Sequence, residues 1–170
     1  MKEIGSGSNI RVGDLVSRGH SFGESNFHIQ LTPKYRKDVF ENKEVIEVCK
    51  RYALEKAKRL GIVIFTMEAG PDHFHIFVGN CKNYSVPKIV QHIKGFTSRM
   101  LRKYYWNLFR DKLWGDSFWS DGYFYESIGR VTSDSIKYYI ERQQGKYWST
   151  PDFEVYKKTL GQVTLANYLN

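Results

Sequence analysis

The chain has 170 residues, 41% hydrophobic and 16% aromatic, which favours one compact domain and excludes global disorder. Lys and Arg number 26 against 18 Asp and Glu, giving a formal net charge of +8 and a pI near 9.4. This excess favours nucleic acid as a partner, and an anionic membrane less strongly, because neutralised phosphates release condensed counterions. The sequence has neither a run of about 18 apolar residues nor an apolar signal core, so we expect a cytoplasmic protein without a membrane span.

A glycine- and serine-rich segment precedes the first predicted strand. Residues 1–25 are expected to form a flexible arm with at most one short strand, around Arg11–Val16. The compact domain is expected to cover residues 26–146. Its first strand is predicted over Phe27–Leu31, where apolar and polar residues alternate, and Pro33 ends it.

A helix of about five turns is predicted next, because apolar residues recur at helical spacing. Asn42 can cap its start and Gly61 can end it. Cys49 lies on the apolar face and is expected in the core. With Cys81 as the only other cysteine, the chain offers neither a disulfide framework nor a four-cysteine zinc site.

The remaining elements follow from periodicity and turn residues. Strands are predicted over Ile62–Met67 and His73–Val78, joined by a turn, then a helix over Val86–Leu108, a strand over Gly122–Ser127 and a third helix from near residue 133 to 145. This order predicts an α+β fold, a four-stranded antiparallel sheet with helices on one face, in the split βαβ (ferredoxin-like or RRM-like) arrangement. Residues 147–170 are expected to form a C-terminal extension containing a short helix.

Two histidines flank a phenylalanine in the predicted strand after the turn. In a strand, the period of two sends His73 and His75 to one face and Phe74 to the other. Two convergent imidazoles form half of a divalent-metal site, which with an oxygen ligand and waters can serve Mg or Mn. Two hydrogen-bonded histidines on a half-buried strand are the simpler alternative.

The third predicted helix offers further candidates for this site. Tyr139 and Gln143 are four residues apart, so they lie about 40° apart around the helix, on one face. Tyr138 lies about 140° from Gln143 and cannot share the site if Gln143 is a ligand. Core packing of Tyr139 beside Ile136 and Ile140 is the alternative.

These segments together resemble a known family. His73-Phe74-His75 resembles the histidine–hydrophobe–histidine motif of the HUH single-strand nucleases, and Lys137–Gln143 resembles the tyrosine helix of their single-tyrosine transposase branch, found in small insertion sequences. Three further segments match in the family's order: Lys34–Arg36, Lys94–Ser98 and Leu113–Tyr123. The matches run over roughly the whole predicted domain.

The resemblance implies a mechanism and a set of partners. Tyr139 would attack a phosphate in single-stranded DNA bearing hairpins at the element ends, leaving a 5′-phosphotyrosine. His73, His75 and Gln143 would hold a divalent ion, Mg or Mn. The resemblance also implies a homodimer with active sites shared between subunits.

Candidate DNA contacts lie after the first strand and on the second long helix. Tyr35, between two cations, suits a stacked base, although packing of Tyr35 is equally compatible with the sequence. Gly95 breaks a basic helical stripe and indicates close packing there, by a DNA backbone or by a dimer helix, whereas a solvated face is the alternative. The DNA-binding candidates are Lys34, Arg36, Lys88, His92, Lys94, Arg99 and Arg102.

An aromatic-rich region precedes the last predicted strand. Base stacking is possible for its large rings, but packing is expected for most of them. They are Trp114, Phe118, Trp119, Tyr123 and Phe124.

Three other functions are compatible with parts of the pattern. One is a domesticated relative that cuts chromosomal hairpins without mobilising an element. Another is a catalytically silent module that binds RNA or single-stranded DNA, since a four-stranded sheet with aromatics also recognises RNA. A third is a small zinc hydrolase, with Glu68 or Asp72 as its carboxylate.

Overall fold

A computed structural model describes residues 16–18 and 21–129 of the chain. The strands in chain order are β1 (Val16–Arg18), β2 (Ser21–Gly23), β3 (Asn26–Pro33), β4 (Val63–Gly70), β5 (His73–Gly79) and β6 (Trp119–Ile128). The two long helices are α1 (Lys43–Leu60), between β3 and β4, and α2 (Val86–Tyr104), between β5 and β6.

The main sheet has the strand order β4-β5-β3-β6, and all neighbouring strands are antiparallel. The two helices contact each other, and their apolar faces share one core with the sheet. The predicted α+β fold with a split βαβ arrangement is therefore confirmed for this part of the chain. The predicted tyrosine-bearing helix and the C-terminal extension lie outside the described residues.

The ends of α1 are set by local chemistry. The side chain of Asn42 accepts a hydrogen bond from the Glu44 amide at 3.0 Å, which satisfies one of the free donors of the first turn. Gly61 follows the helix in the left-handed region, at φ 69°, a conformation that costs glycine little. Both predicted helix boundaries are confirmed, and Cys49 is fully buried on the inner face, as expected.

The alternation of β5 determines which side chains face the core. Phe74, Ile76 and Val78 are buried in the cluster beneath the helices. The intervening His73 and His75 therefore project from the opposite sheet face. A slip of one residue would exchange the two sets and bury imidazoles among hydrocarbon, so packing of the apolar set also fixes the histidines in place.

Two predictions about secondary structure are wrong. The sequence predicts a flexible arm with at most one short strand, around Arg11–Val16, but this segment contains two strands, β1 and β2, which pair antiparallel. The second long helix ends at Tyr104 instead of Leu108, because Tyr105 leaves the helical region at φ −132° and a separate turn follows over Trp106–Leu108. No helix in the described part of the chain is long and apolar enough to cross a bilayer.

Candidate metal and nucleic-acid site

The two predicted ligand histidines lie together at the start of β5. The ring centroids of His73 and His75 are 4.9 Å apart, with the planes at 79°. His73 pairs with Gly70 across the β4–β5 turn, and a Cβ on Gly70 would lie 2.2 Å from Cε1 of the His73 ring. Glycine at this position therefore leaves the space that the His73 imidazole occupies.

Asp72 orients the His73 ring. Its Oδ1 lies 2.8 Å from Nδ1 of His73, and Arg36 donates to Oδ2 from Nε and Nη2 at 3.1 and 3.0 Å. The hydrogen bond from His73, followed by the Arg36 contact, lowers the pKa of Asp72 below its usual value. A carboxylate only accepts hydrogen bonds, so Nδ1 of His73 carries a proton and Nε2 is the ring nitrogen left for another partner.

A third histidine contacts His75. Nδ1 of His75 lies 2.9 Å from Nε2 of His28, a residue of β3. Both side chains are buried, and their exposed fractions are 5% and 3%. Burial, with smaller contributions from His28 and His73, lowers the pKa of His75 to about 3. His75 is therefore neutral at physiological pH, the state that a metal ligand requires.

The lowered pKa of His75 predicts how the stability of the metal-free protein depends on pH. In the unfolded chain His75 has its ordinary value of 6.5, whereas in the folded chain the value is about 3. Between these limits the unfolded state binds the extra proton. The contribution of His75 to the free energy of unfolding is therefore complete above pH 6.5 and is lost as the pH is lowered towards 3. His75 should contribute a slope of at most about 1.4 kcal/mol per pH unit.

Urea unfolding of the chelator-treated full chain at several pH values between 7 and 4 measures this slope. The variant His75→Asn keeps a polar side chain and removes the titrating group, so its stability should fall less steeply than that of the wild type. Equal slopes in the two proteins would contradict the assignment.

The described residues supply only part of a metal coordination shell. Within residues 16–18 and 21–129, no group of three or more His, Cys, Asp or Glu side chains could hold a metal ion. Asp72 instead contacts His73 and Arg36, and Glu68 lies 3.9 Å from Lys50. Neither carboxylate predicted for a zinc hydrolase completes the histidine pair in this part of the chain.

Lys94 contacts the beginning of β6. Its Nζ donates to the carbonyl oxygens of Ser120, Asp121 and Gly122 at 2.7, 3.1 and 2.7 Å. Three acceptors match the three donors of an ammonium group, and burial lowers the pKa of Lys94. Lys94 therefore has a structural role, and its contact with DNA stays a prediction.

The other candidates on α2 lie along its outer side. Lys88, Gly95 and Arg99 are exposed, and His92 is half-buried. Among the described residues nothing comes within 4 Å of a Cβ built on Gly95, so these residues do not supply the close packing expected there. Arg102 donates to the carbonyl oxygen of Ser117 at 2.6 Å.

An exposed aromatic pair follows the end of β3. Tyr35 and Trp114 stack at 5.7 Å with their planes 21° apart, although each is more than 60% exposed. Lys34 and Lys37 lie 5.8 and 5.3 Å from the centres of the Tyr35 and Trp114 rings, respectively. We call these four residues the Tyr35–Trp114 ledge.

The other rings of this region divide between core and surface. Phe118 and Trp119 are buried, and Tyr123 packs against the core, so the expected packing of most of these rings is confirmed. Phe124 is 47% exposed, and with Trp114 it departs from that expectation.

Comparison with known proteins identifies the family. The family described as "Transposase IS200 like" matches residues 21–143, which is most of the chain. This chain belongs to the IS200-like transposase family.

Individual relatives agree with this assignment. The transposase is 30% identical over 129 residues to the ISDra2 transposase TnpA of Deinococcus radiodurans, covering 76% of this chain and 90% of that protein. It is 28% identical over 147 residues to the transposase for insertion sequence element IS200 of Salmonella typhimurium, covering 82% and 93%. A crystal structure of a Deinococcus radiodurans protein assigned as a transposase superposes with a TM-score of 0.58 at 26% identity, covering 75% of this chain and 96% of that one.

The family match in this transposase includes all four residues predicted for its chemistry. His73 and His75 lie together in the described part of the chain, whereas Tyr139 and Gln143 lie outside the described residues and stay predictions. Sequence reasoning missed His28, which alternates with the core residues Ile29 and Leu31 of β3 and therefore lies on the other face of the sheet. The signal was a histidine on the same sheet face as the pair, but only the strand register brings it to His75.

Proposed function

We propose that this transposase cleaves and rejoins single-stranded DNA at hairpin-bearing element ends, with Tyr139 as its nucleophile. The main support is the pair His73 and His75, in which each Nδ1 is engaged by a neighbouring side chain, at 2.8 and 2.9 Å. Such a pair presents its Nε2 atoms to a cation. The same family match extends over Tyr139 and Gln143.

The residues present fit a divalent cation. Two imidazoles with an amide oxygen from Gln143 and waters suit Mg or Mn. When bound, the ion supplies charge neutralisation at the scissile phosphate. Asp72 holds His73 in the tautomer that binding requires.

Tyr139 carries out the covalent step in this proposal. Its phenolic oxygen forms a bond to phosphorus while the bond to the 3′-oxygen of the upstream strand breaks. The phenol proton leaves, and the 3′-oxygen is released as a hydroxyl. Free tyrosine has a pKa of about 10, so Tyr139 needs an activating environment for this attack.

Rejoining reverses the same chemistry. A 3′-hydroxyl attacks the phosphotyrosine, the phenol is restored and the phosphodiester is re-formed, so no external energy source is needed. We further propose a homodimer in which Tyr139 and Gln143 of one subunit serve the histidine pair of the other, an arrangement taken from the family resemblance.

The Tyr35–Trp114 ledge is proposed to hold an unpaired base beside the metal site. Arg36, the neighbour of Tyr35, contacts Asp72, the neighbour of His73. This contact connects the segment that carries Tyr35 to the segment that carries the histidine pair. Stacking is favoured because both rings are exposed and flanked by lysines. The cationic residues Lys34, Arg36, Lys88, His92, Lys94, Arg99 and Arg102 are proposed to contact the phosphates.

Truncating the ledge should weaken binding without unfolding the protein. The variant Trp114→Ala is expected to lose roughly 1 to 3 kcal/mol of single-strand affinity, or roughly 5- to 150-fold. Its stability should change by less than about 0.5 kcal/mol, because Trp114 is 61% exposed. Fluorescence anisotropy with a labelled single-stranded oligonucleotide measures the effect.

A second exposed aromatic provides the control for this experiment. Tyr104 is 55% exposed at the end of α2, and Tyr104→Ala should bind like the wild type. Equal losses in Trp114→Ala and Tyr104→Ala would show that general surface aromaticity, and not the ledge, determines affinity.

The proposed function is tested by covalent trapping. The full chain is incubated with a hairpin oligonucleotide carrying single-stranded flanks, in Mg or Mn and in chelator. We expect an adduct that survives denaturation and forms only with the metal. Binding without any adduct would support a non-catalytic module and overturn the proposal.

A further inference from the structure

A buried network extends from His75 across the sheet to β6. His28 lies opposite Glu126 in the β3–β6 register and opposite Phe77 in the β3–β5 register. His75 is therefore its diagonal neighbour on the same sheet face. The His28 and His75 rings are inclined by 23° with centroids 5.0 Å apart, which suits two imidazoles joined edge to edge through nitrogen atoms.

The carboxylate of Glu126, at the β6 end of the network, determines in which direction its hydrogen bonds are donated. Oε1 of Glu126 is buried and lies 3.6 Å from Nδ1 of His28. This separation is longer than a hydrogen bond, but a carboxylate charge so close favours the tautomer that carries its proton on Nδ1. In the neutral ring of this tautomer, Nε2 of His28 is an acceptor.

The tautomer of His28 in turn fixes that of His75. An acceptor at Nε2 of His28, 2.9 Å away, requires a proton on Nδ1 of His75. The lone pair of His75 then resides on Nε2. This is the tautomer that Asp72 imposes on His73 by direct contact.

We propose that His28 and Glu126 are positioning residues that hold His75 as the Nδ1–H tautomer and so present its Nε2 to the divalent ion. The inference rests on the proposed function, in which His73 and His75 are metal ligands. Histidine ligands in metal sites commonly donate their second ring nitrogen to such partners, whose removal weakens metal binding about 10- to 100-fold. Here a histidine and a carboxylate would act in series on one ligand.

The first measurement determines the tautomers directly. In the metal-free full chain, two-bond nitrogen–proton correlation spectra distinguish protonated from unprotonated ring nitrogens. We expect protons on Nδ1 of both His28 and His75. A proton on Nε2 of His75 would overturn the proposal, with no metal needed for the test.

The second measurement is Mn²⁺ affinity by calorimetry on the full chain. His28→Phe removes the acceptor, and Glu126→Gln removes the charge while keeping the shape. Both should bind Mn²⁺ about 10- to 100-fold more weakly than the wild type. His28→Gln, whose amide oxygen can accept from His75, should recover part of the loss.

A charge-matched control separates this role from general electrostatics. Glu47 is exposed on α1, and Glu47→Gln should bind Mn²⁺ like the wild type. Urea unfolding of each metal-free variant checks the fold. If His28→Phe does not fold, the Mn²⁺ affinity of Glu126→Gln and the tautomer spectrum of the wild type still test the proposal.

The outcomes separate the two levels of inference. If the wild type binds no Mn²⁺, the proposed cation site fails, and this inference fails with it. If the wild type binds Mn²⁺ and folded His28→Phe and Glu126→Gln bind it equally well, only the positioning role is overturned.

Discussion

The variant Tyr139→Phe is expected to form no covalent adduct with a hairpin oligonucleotide while still binding it. The substitution removes only the phenolic oxygen, which is the proposed nucleophile, and keeps the ring. Binding depends mainly on cations and exposed rings elsewhere in the chain. Denaturing electrophoresis measures the adduct and anisotropy measures binding, so the two effects are separated.

The neighbouring tyrosine is the matched control. Tyr138 differs from Tyr139 by one helical position, about 100° around the axis if this segment is helical. Tyr138→Phe should retain the adduct. An adduct that persists in Tyr139→Phe and disappears in Tyr138→Phe would assign the nucleophile to Tyr138 and contradict the proposal.

The second large effect is expected from removal of either histidine ligand. His73→Ala and His75→Ala should each lower strand cleavage by roughly 100-fold or more, because the cation loses one of its two imidazole ligands. Mn²⁺ calorimetry on the same variants should show the loss of binding directly. His75→Ala also removes a buried side chain, so urea unfolding must accompany the comparison.

His20 supplies the control for these two variants. It lies outside the described residues and precedes the family match, which begins at residue 21, so His20→Ala should cleave like the wild type. Wild-type cleavage and Mn²⁺ binding by a folded His75→Ala would remove that residue from the metal site.

Local patterns predicted most of the fold. Asn42 begins α1 with a side-chain cap, and Gly61 ends it in the left-handed conformation. Both effects act within one turn of the chain. The alternation of β5 likewise predicted that His73 and His75 share a face. Such features depend on neighbours in sequence, so a single sequence contains them.

Features that depend on residues far apart in the sequence are harder to predict from the sequence alone. The contact of His28 with His75 spans 47 positions and depends on the β3–β5 register, which periodicity alone does not provide. Lys94 appeared as one more cation of a basic stripe, but its partners are carbonyls at the start of β6, at least 26 positions away. The sequence predicts packing for most of the aromatic residues around Trp114. Trp114 is instead exposed and stacks on Tyr35, which follows the end of β3.

The most direct test of the account is to locate the attached nucleotide in the trapped adduct by mass spectrometry. Trypsin should release the segment Tyr138–Arg142, which contains both tyrosines, and fragmentation distinguishes them. We predict a 5′-phosphonucleotide on Tyr139, formed only with Mg or Mn and only when His73 and His75 are intact. A nucleotide on Tyr138 or on any residue outside this segment would contradict it.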